Sequence, residues 1–77
     1  MPSVTVCPLT SDLQSNVSLL RITIEASAEN GLRLPSQIAI DKITTLAVSR
    51  VTMVIGRTSD EVMTQVTRAL AVFLEVG

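Results

Sequence analysis

Three neighbouring residues near the start of the chain, Thr10, Ser11 and Asp12, carry side chains that could do chemistry. They directly follow the apolar, β-branched-rich stretch SVTVCPL at residues 3–9, so they stand where a strand should end. Strand ends and the loops beyond them commonly carry binding and catalytic groups. Thr, Ser and Asp also close turns there, because their side chains hydrogen-bond the nearby backbone. The local pattern alone favours the turn.

Arginines and one carboxylate are the second group of candidates. Arg33, Arg50 and Arg57 carry forked guanidinium groups that suit phosphate oxygens, so they could form an RNA-binding patch. They could equally be the solvated ends of strands, which is the commoner situation. Asp41 could pair at the surface with Lys42, Arg33 or Arg50, a contact worth under ~1 kcal/mol. The residues alone leave these alternatives open.

The composition excludes several kinds of chemistry. The chain of 77 residues has no histidine and one cysteine, so one copy can build neither a disulfide nor a Cys/His zinc site. That cysteine, Cys7, lies in an apolar stretch and is interpreted as a small core residue. The formal net charge of −1 gives no overall attraction to nucleic acid or to an anionic membrane. No apolar run approaches the ~20 residues of a membrane span. We expect a cytoplasmic protein without metal or cofactor.

Periodicity indicates the elements that would position these residues. Apolar and polar residues alternate at 17–26, where Ile22 and Ile24 face one way and Arg21 and Thr23 the other, as in a half-buried antiparallel strand. The stretch at 3–9 instead suits a strand covered on both faces. The predicted strands span residues 3–9, 17–26, 37–46 and 51–57, with a loop at 11–16, a turn at Asn30-Gly31 and a short link at 47–50.

The end of the chain predicts an amphipathic helix over residues 58–76. Thr58 is followed three residues later by Glu61, the spacing of a capping box. Apolar residues then recur at three- and four-residue steps, which is the pattern of a helix packed on a sheet. The predicted core stripe consists of Val62, Met63, Val66, Ala69, Leu70, Phe73 and Val76. Four strands followed by one helix indicate an α+β protein with a small antiparallel sheet.

Four stretches stand in an order that resembles a known family: CPLTS, IEASAENGL, LPSQIAIDKITTL and IGRTSDEVMTQVTRALAVFL. The chain is similar over essentially all 77 residues to the MazF/PemK family of toxin endoribonucleases. The resemblance implies one toxin domain, a partial SH3-like barrel with a C-terminal helix. It also implies that an N-terminal strand hairpin, whose arginine is the usual acid–base candidate of the family, is absent from this chain.

The resemblance further implies metal-independent cleavage of single-stranded RNA, in which the 2′-hydroxyl attacks its own phosphorus and leaves a 2′,3′-cyclic phosphate. Thr10 matches the active-site hydroxyl of the family, and Ser11 follows it. Asp41 matches an acidic residue that some relatives use near the scissile bond. Ala39 falls where a few relatives carry a second catalytic arginine, and alanine cannot do that work.

Loss of a hairpin should leave the sheet short of apolar cover. About six missing aliphatic side chains, each worth about 1.5–3 kcal/mol of burial, approach the whole stability of a small domain. We therefore expect a homodimer or a strand-exchanged oligomer. The resemblance also implies a protein antitoxin as a partner. The alternative to a ribonuclease is a non-catalytic module that dimerises and binds the antitoxin.

Overall fold

The fold belongs to the α+β class and ends in a helix, as predicted. The computed structural model describes residues 2–13 and 20–76. Those residues contain five short strands, where four strands were predicted for the chain. The elements are β1 (Ser3–Val6), β2 (Leu9–Thr10), β3 (Arg21–Ile24), β4 (Ser36–Ala39), β5 (Thr44–Ala47) and α1 (Asp60–Val76), with 3₁₀ turns at Ile40–Lys42 and Val48–Arg50.

The strands form two antiparallel sheets. One contains β1 and β5, and the other has the order β2-β4-β3, so that β4 is its central strand. In the three-stranded sheet Leu9 lies opposite Ile38, which in turn lies opposite Ile22. Within residues 2–13 and 20–76 the two sheets do not join into a closed barrel.

The core lies between the three-stranded sheet and α1. Ile22 and Ile24 are buried on one face of β3, while Thr23 on the other face is exposed, so the predicted alternation is confirmed for the described part of residues 17–26. Residues 17–19 of that prediction, and 14–16 of the predicted loop, lie outside the described residues. The buried core consists of Ile22, Ile24, Ile38, Ile40, Val66 and Ala69.

The prediction of one strand at residues 3–9 was wrong. The chain leaves β1 at Cys7 and Pro8 and enters β2, which belongs to the other sheet. Proline has no N–H for a ladder, and here the Pro8 carbonyl instead accepts a hydrogen bond from the Ala39 N–H at 2.9 Å. Nor is β1 covered on both faces, since its first three residues are exposed.

The prediction of one strand at residues 37–46 was also wrong. A 3₁₀ turn at Ile40–Lys42 separates β4 from β5, because β4 pairs with β2 and β3 whereas β5 pairs with β1. The strand that is buried on both faces is β4, all four residues of which are buried. The predicted link at 47–50 contains the last residue of β5 and the second 3₁₀ turn.

Residues 51–57, predicted as a strand, pair with no strand in the described part of the chain. The apolar side chains of this segment face outward: Val54 is 82% exposed and Met53 is 74% exposed. The segment is fixed at its end, where the Arg57 N–H donates to the Glu29 carbonyl at 2.9 Å. The apolar composition of residues 51–55 made the segment a strand candidate, but composition alone does not supply a partner strand.

The helix begins at Asp60, two residues later than the predicted start at residue 58. Ser59 is its N-cap, because the Ser59 hydroxyl accepts the Val62 N–H at 3.2 Å. Three residues after Ser59 comes Val62, not an acid, so the predicted capping box of Thr58 and Glu61 does not form. The predicted stripe is confirmed at buried Val66 and in the residues partly buried against the core, while Met63 is 47% exposed. The side chain of Val76 lies outside the description.

The turn at Asn30-Gly31 is confirmed, with Gly31 at a φ of +72°. The Asn30 amide organises this turn by donating to the Glu25 carbonyl and accepting the N–H groups of Ser27 and Leu32. Gly56 lies directly against the same turn: a Cβ at Gly56 would lie 2.5 Å from the Glu29 carbonyl oxygen. The two glycines therefore let two backbones approach more closely than side chains would allow.

Gly56→Ala should destabilise the protein by about 1–3 kcal/mol, because the new methyl group meets backbone atoms that cannot rotate away. Urea denaturation followed by circular dichroism measures the change. Leu34→Ala is the control, since Leu34 is 59% exposed and lies outside residues 51–55, and it should change the midpoint little. Equal stability of Gly56→Ala and wild type would contradict the close approach.

Candidate nucleic-acid interface

One face of the three-stranded sheet packs against α1, and the opposite face carries polar groups. Residues directly opposite each other in an antiparallel pair share a face. Thr10 of β2 lies opposite Gln37 of β4, which lies opposite Thr23 of β3, while Ala39 lies opposite Arg21. We call these five residues the polar face. The sheet thus brings Thr10, at one edge, to the same side as Arg21, at the other edge.

Thr10 is half-buried, and its hydroxyl oxygen accepts the Asp12 N–H at 3.1 Å. This bond is the turn that the sequence favoured. It occupies a lone pair of the hydroxyl but not its hydrogen, so Thr10 can still donate to an anionic oxygen. Ser11 is exposed beside it. The turn and a ligand-binding role are therefore compatible at Thr10.

The middle of the polar face is fixed by Gln37. This side chain is buried, with 2% exposure, and its amide donates to the Thr23 hydroxyl at 3.2 Å. A buried amide with its partners satisfied holds a single orientation. Gln37 therefore ties β4 to β3 and acts as support, while Thr23 itself is exposed.

Asp41 pairs with Arg21, a residue that the sequence did not single out. The Arg21 Nε lies 3.0 Å from one carboxylate oxygen and Nη2 lies 3.4 Å from the other, with 10% of the Arg21 side chain and 36% of the Asp41 side chain exposed. The expected partners Lys42, Arg33 and Arg50 were wrong, and Asp41 lies in a 3₁₀ turn, not in a strand.

The sequence indicated that Arg21 faces outward from a strand, but it did not indicate which residues lie beside Arg21, because that depends on the pairing register of the strands. Its outward position in an alternating strand was visible. That Arg21 lies beside Ala39, and so within reach of Asp41, follows only from the pairing of β3 with β4. A one-residue shift of register would have placed it elsewhere.

The other three candidate arginines do not form a cluster. Among the described residues, no hydrogen bond or ion pair connects them. Arg33, Arg50 and Arg57 are all exposed and lie on separate segments. Arg57 lines a polar cavity of about 300 Å³ near the start of α1, together with Glu29 and Glu61. Arg33 precedes β4, and Arg50 ends the second 3₁₀ turn.

A larger, mostly apolar cavity of about 520 Å³ lies on the α1 side of the sheet. Cys7 lines it together with residues such as Ile38, Met63 and Leu70. Burial raises the pKa of the Cys7 thiol above its ordinary value, so the neutral thiol persists to higher pH and the reactive thiolate is suppressed. Cys7 was interpreted from the sequence as a small core residue, and the structure places it partly buried against the core.

Among the residues that the structure describes, no three His, Cys, Asp or Glu side chains are grouped as a metal ion would need. No helix in the same residues has the length and apolar character to cross a membrane.

Solved structures share this α+β architecture. The Mycobacterium tuberculosis toxin MazF-mt6 superposes with a TM-score of 0.81 at 23% identity, over 97% of this chain and 72% of that one. The crystal structure of an Mtb toxin gives a TM-score of 0.78 at 24% identity, over 92% and 74%.

Sequence similarity identifies the family. The probable endoribonuclease MazF of Mycolicibacterium smegmatis is 42% identical over 75 residues, which cover 97% of this chain and 68% of that protein. The family of PemK-like, MazF-like toxins of type II toxin–antitoxin systems matches residues 1–74. The chain belongs to this toxin family, as the four sequence stretches predicted.

The Arg21–Asp41 pair should contribute a measurable coupling energy, because Arg21 is largely shielded from water and both groups are charged. A double-mutant cycle with Arg21→Met and Asp41→Asn should give about 1–2 kcal/mol from urea denaturation. The control is the cycle of Glu61 and Arg68, two exposed charged residues that lie seven positions apart on α1, and it should give a coupling energy under ~0.5 kcal/mol. A coupling no larger than the control would show that the pair is loose in solution.

Proposed function

We propose that this protein is a metal-independent endoribonuclease toxin that cuts single-stranded RNA. The observation that carries the proposal is the Thr10 hydroxyl, which is oriented by the Asp12 N–H and still has its own hydrogen to donate. Family membership and the 42% identity to a probable endoribonuclease support the same reaction class.

The reaction would form a bond between the 2′-oxygen and phosphorus and break the bond to the 5′-oxygen, giving a cyclic phosphate and a free 5′-hydroxyl. It requires a base, an acid and donors for the charged phosphorane. Thr10 and the exposed Ser11 would donate to phosphate oxygens. The Asp41 carboxylate, partly exposed beside Arg21, would handle a proton near the scissile bond. Neighbouring RNA phosphates would contact Arg33, Arg50 and Arg57, which are exposed.

Thr10→Val should lower the rate of RNA cleavage by about 10²–10³-fold, because it removes one donor to the phosphorane and keeps the side-chain shape. Thr10→Ser, which keeps the hydroxyl, should retain most activity. The assay follows cleavage of single-stranded RNA and identifies 2′,3′-cyclic phosphate ends. Thr45→Val is the matched control, because Thr45 is an exposed strand threonine of the other sheet. Absence of cleavage by wild type at high protein concentration would overturn the proposal.

The toxin domain of residues 1–77 would act as a homodimer. Apolar side chains of residues 51–55 are exposed, including Met53 and Val54, and β1 pairs only with β5 in the described part of the chain. Exposed apolar patches and unpaired strand edges favour association with another chain. A second copy or an exchanged strand would cover both features.

Wild type should elute with twice the mass of one chain in size-exclusion chromatography with light scattering. Met53→Asp combined with Val54→Asp should shift the population towards monomer, because two carboxylates would have to be desolvated in the interface. Leu34→Asp is the control: Leu34 is also apolar and 59% exposed, but it lies between β3 and β4. A stable, folded wild-type monomer at micromolar concentration would contradict the dimer.

The remaining partners follow from the family. We infer that the partner is a protein antitoxin, because the family belongs to type II toxin–antitoxin systems, and that the protein would act in the cytoplasm, where it would meet its RNA target. The large apolar cavity and the exposed apolar segment favour one alternative function, a non-catalytic module that dimerises and binds the antitoxin. The two functions separate in one experiment, since the module would bind an antitoxin and leave RNA intact at any protein concentration.

A further inference from the structure

Arg21 has hydrogen-bonding capacity that its ion pair does not use. A guanidinium carries five N–H groups. The bonds to Asp41 engage Nε and one N–H of Nη2, at 3.0 and 3.4 Å. No fully buried side-chain nitrogen or oxygen of the described residues lacks a partner, so Nη1, which takes no part in the ion pair, keeps some contact with solvent although the side chain is only 10% exposed. Arg21 is therefore held in place through Nε and Nη2, and Nη1 is the donor that a ligand could reach.

The position of Arg21 relative to Thr10 is set by the sheet. The two residues share the polar face, with β4 as the single strand between them. Adjacent strands lie about 4.8 Å apart, so the backbones of β2 and β3 are about 10 Å apart. Directly opposite Arg21 is Ala39, whose methyl group is small. The long arginine side chain and the threonine hydroxyl can thus serve one extended ligand.

The ligand chemistry follows from these groups. A guanidinium whose orientation is fixed by a carboxylate presents a planar set of donors, which suits phosphate oxygens. The pair is neutral as a whole, so it attracts an anion by directed hydrogen bonds more than by net charge. The Asp41 carboxylate is partly exposed beside the guanidinium, so its negative charge would repel a ligand carboxylate that approached from the same side. An RNA phosphate could still bind on the side of the guanidinium that faces away from Asp41.

We propose that Arg21 binds a phosphate of the RNA strand whose scissile phosphate lies at Thr10, with Asp41 fixing the direction of the guanidinium. The inference rests on the proposed function. It assigns the arginine of the site to β3 of this chain. Gln37 stabilises this arrangement, because its side chain on β4 donates a hydrogen bond to Thr23 of β3, the strand that carries Arg21.

The test measures binding and cleavage separately. Binding uses a fluorescein-labelled single-stranded RNA pool with 2′-fluoro groups at every position, which has no 2′-hydroxyl to attack phosphorus, and anisotropy is read from 50 to 300 mM salt. Arg21→Gln should weaken binding about tenfold and lower the slope of log affinity against log salt by about 0.7, the value for one phosphate contact on a single strand. Arg21→Lys keeps a charge without the fork, so it should weaken binding but retain the slope.

Arg68→Gln is the charge-matched control, because Arg68 is exposed on the helix and lies outside the site. It should leave affinity and slope near those of wild type. Melting curves identify any variant that fails to fold. If Arg21→Gln fails to fold, the test uses the folded Arg21→Lys variant. Weaker RNA binding by Arg21→Lys with an unchanged salt slope supports the inference, and an affinity equal to that of wild type overturns it.

The outcomes distinguish the inference from the function on which it rests. If wild type binds the RNA pool but does not cut natural RNA, the proposed reaction fails while the Arg21 contact stands or falls on the binding data. If wild type cuts RNA and Arg21→Gln binds and cuts as Arg68→Gln does, the inference alone is overturned. If wild type neither binds nor cuts, both are overturned.

Discussion

Both the hydrophobic core and the polar face depend on β4, which is buried between its two partner strands. All four of its residues are buried, and it pairs with β2 on one side and β3 on the other. Because strand side chains alternate, the same four residues serve both faces: Ile38 joins the core under α1, while Gln37 and Ala39 lie on the polar face. A one-residue slip of β4 would exchange these sets, burying an amide in the core. The hydrophobic core and the candidate site are therefore specified by one register.

The polar face shows how a structural contact and a binding group can coexist in one side chain. The Asp12 N–H uses Thr10 as an acceptor and leaves the hydroxyl free to donate. Asp41 uses two donors of Arg21 and fixes the direction of the others. In each case the internal bond restricts rotation before a ligand arrives, so less conformational entropy is lost on binding. Preorganisation here needs no buried charge without a partner.

Sequence patterns predicted what depends on neighbouring residues and failed where distant pairing decides. The helix, the alternation around Ile22 and the turn at Gly31 were predictable, because each follows from spacing or from one residue's backbone freedom. The breaks at Pro8 and after Ala39 were not, since the chain changes sheets there, and β-propensity does not say which sheet a residue joins. Arg21 and Asp41 are 20 residues apart in the sequence. Predicting their ion pair would have required the register of β3 against β4, which the sequence pattern does not give.

The apolar segment at residues 51–55 completes this argument from the other side of the molecule. Its pattern predicted a strand, and the described residues offer it no partner strand. Its end is nevertheless fixed, because Gly56 meets the turn at Glu29 and Asn30, and the Arg57 N–H bonds to Glu29. A segment held at one end with its apolar side chains in water is costly for a lone chain, since each exposed aliphatic forgoes about 1.5–3 kcal/mol of burial. Such a cost is tolerable when another chain covers the segment, and this is the physical reason for proposing that residues 51–55 lie in the interface of a dimer.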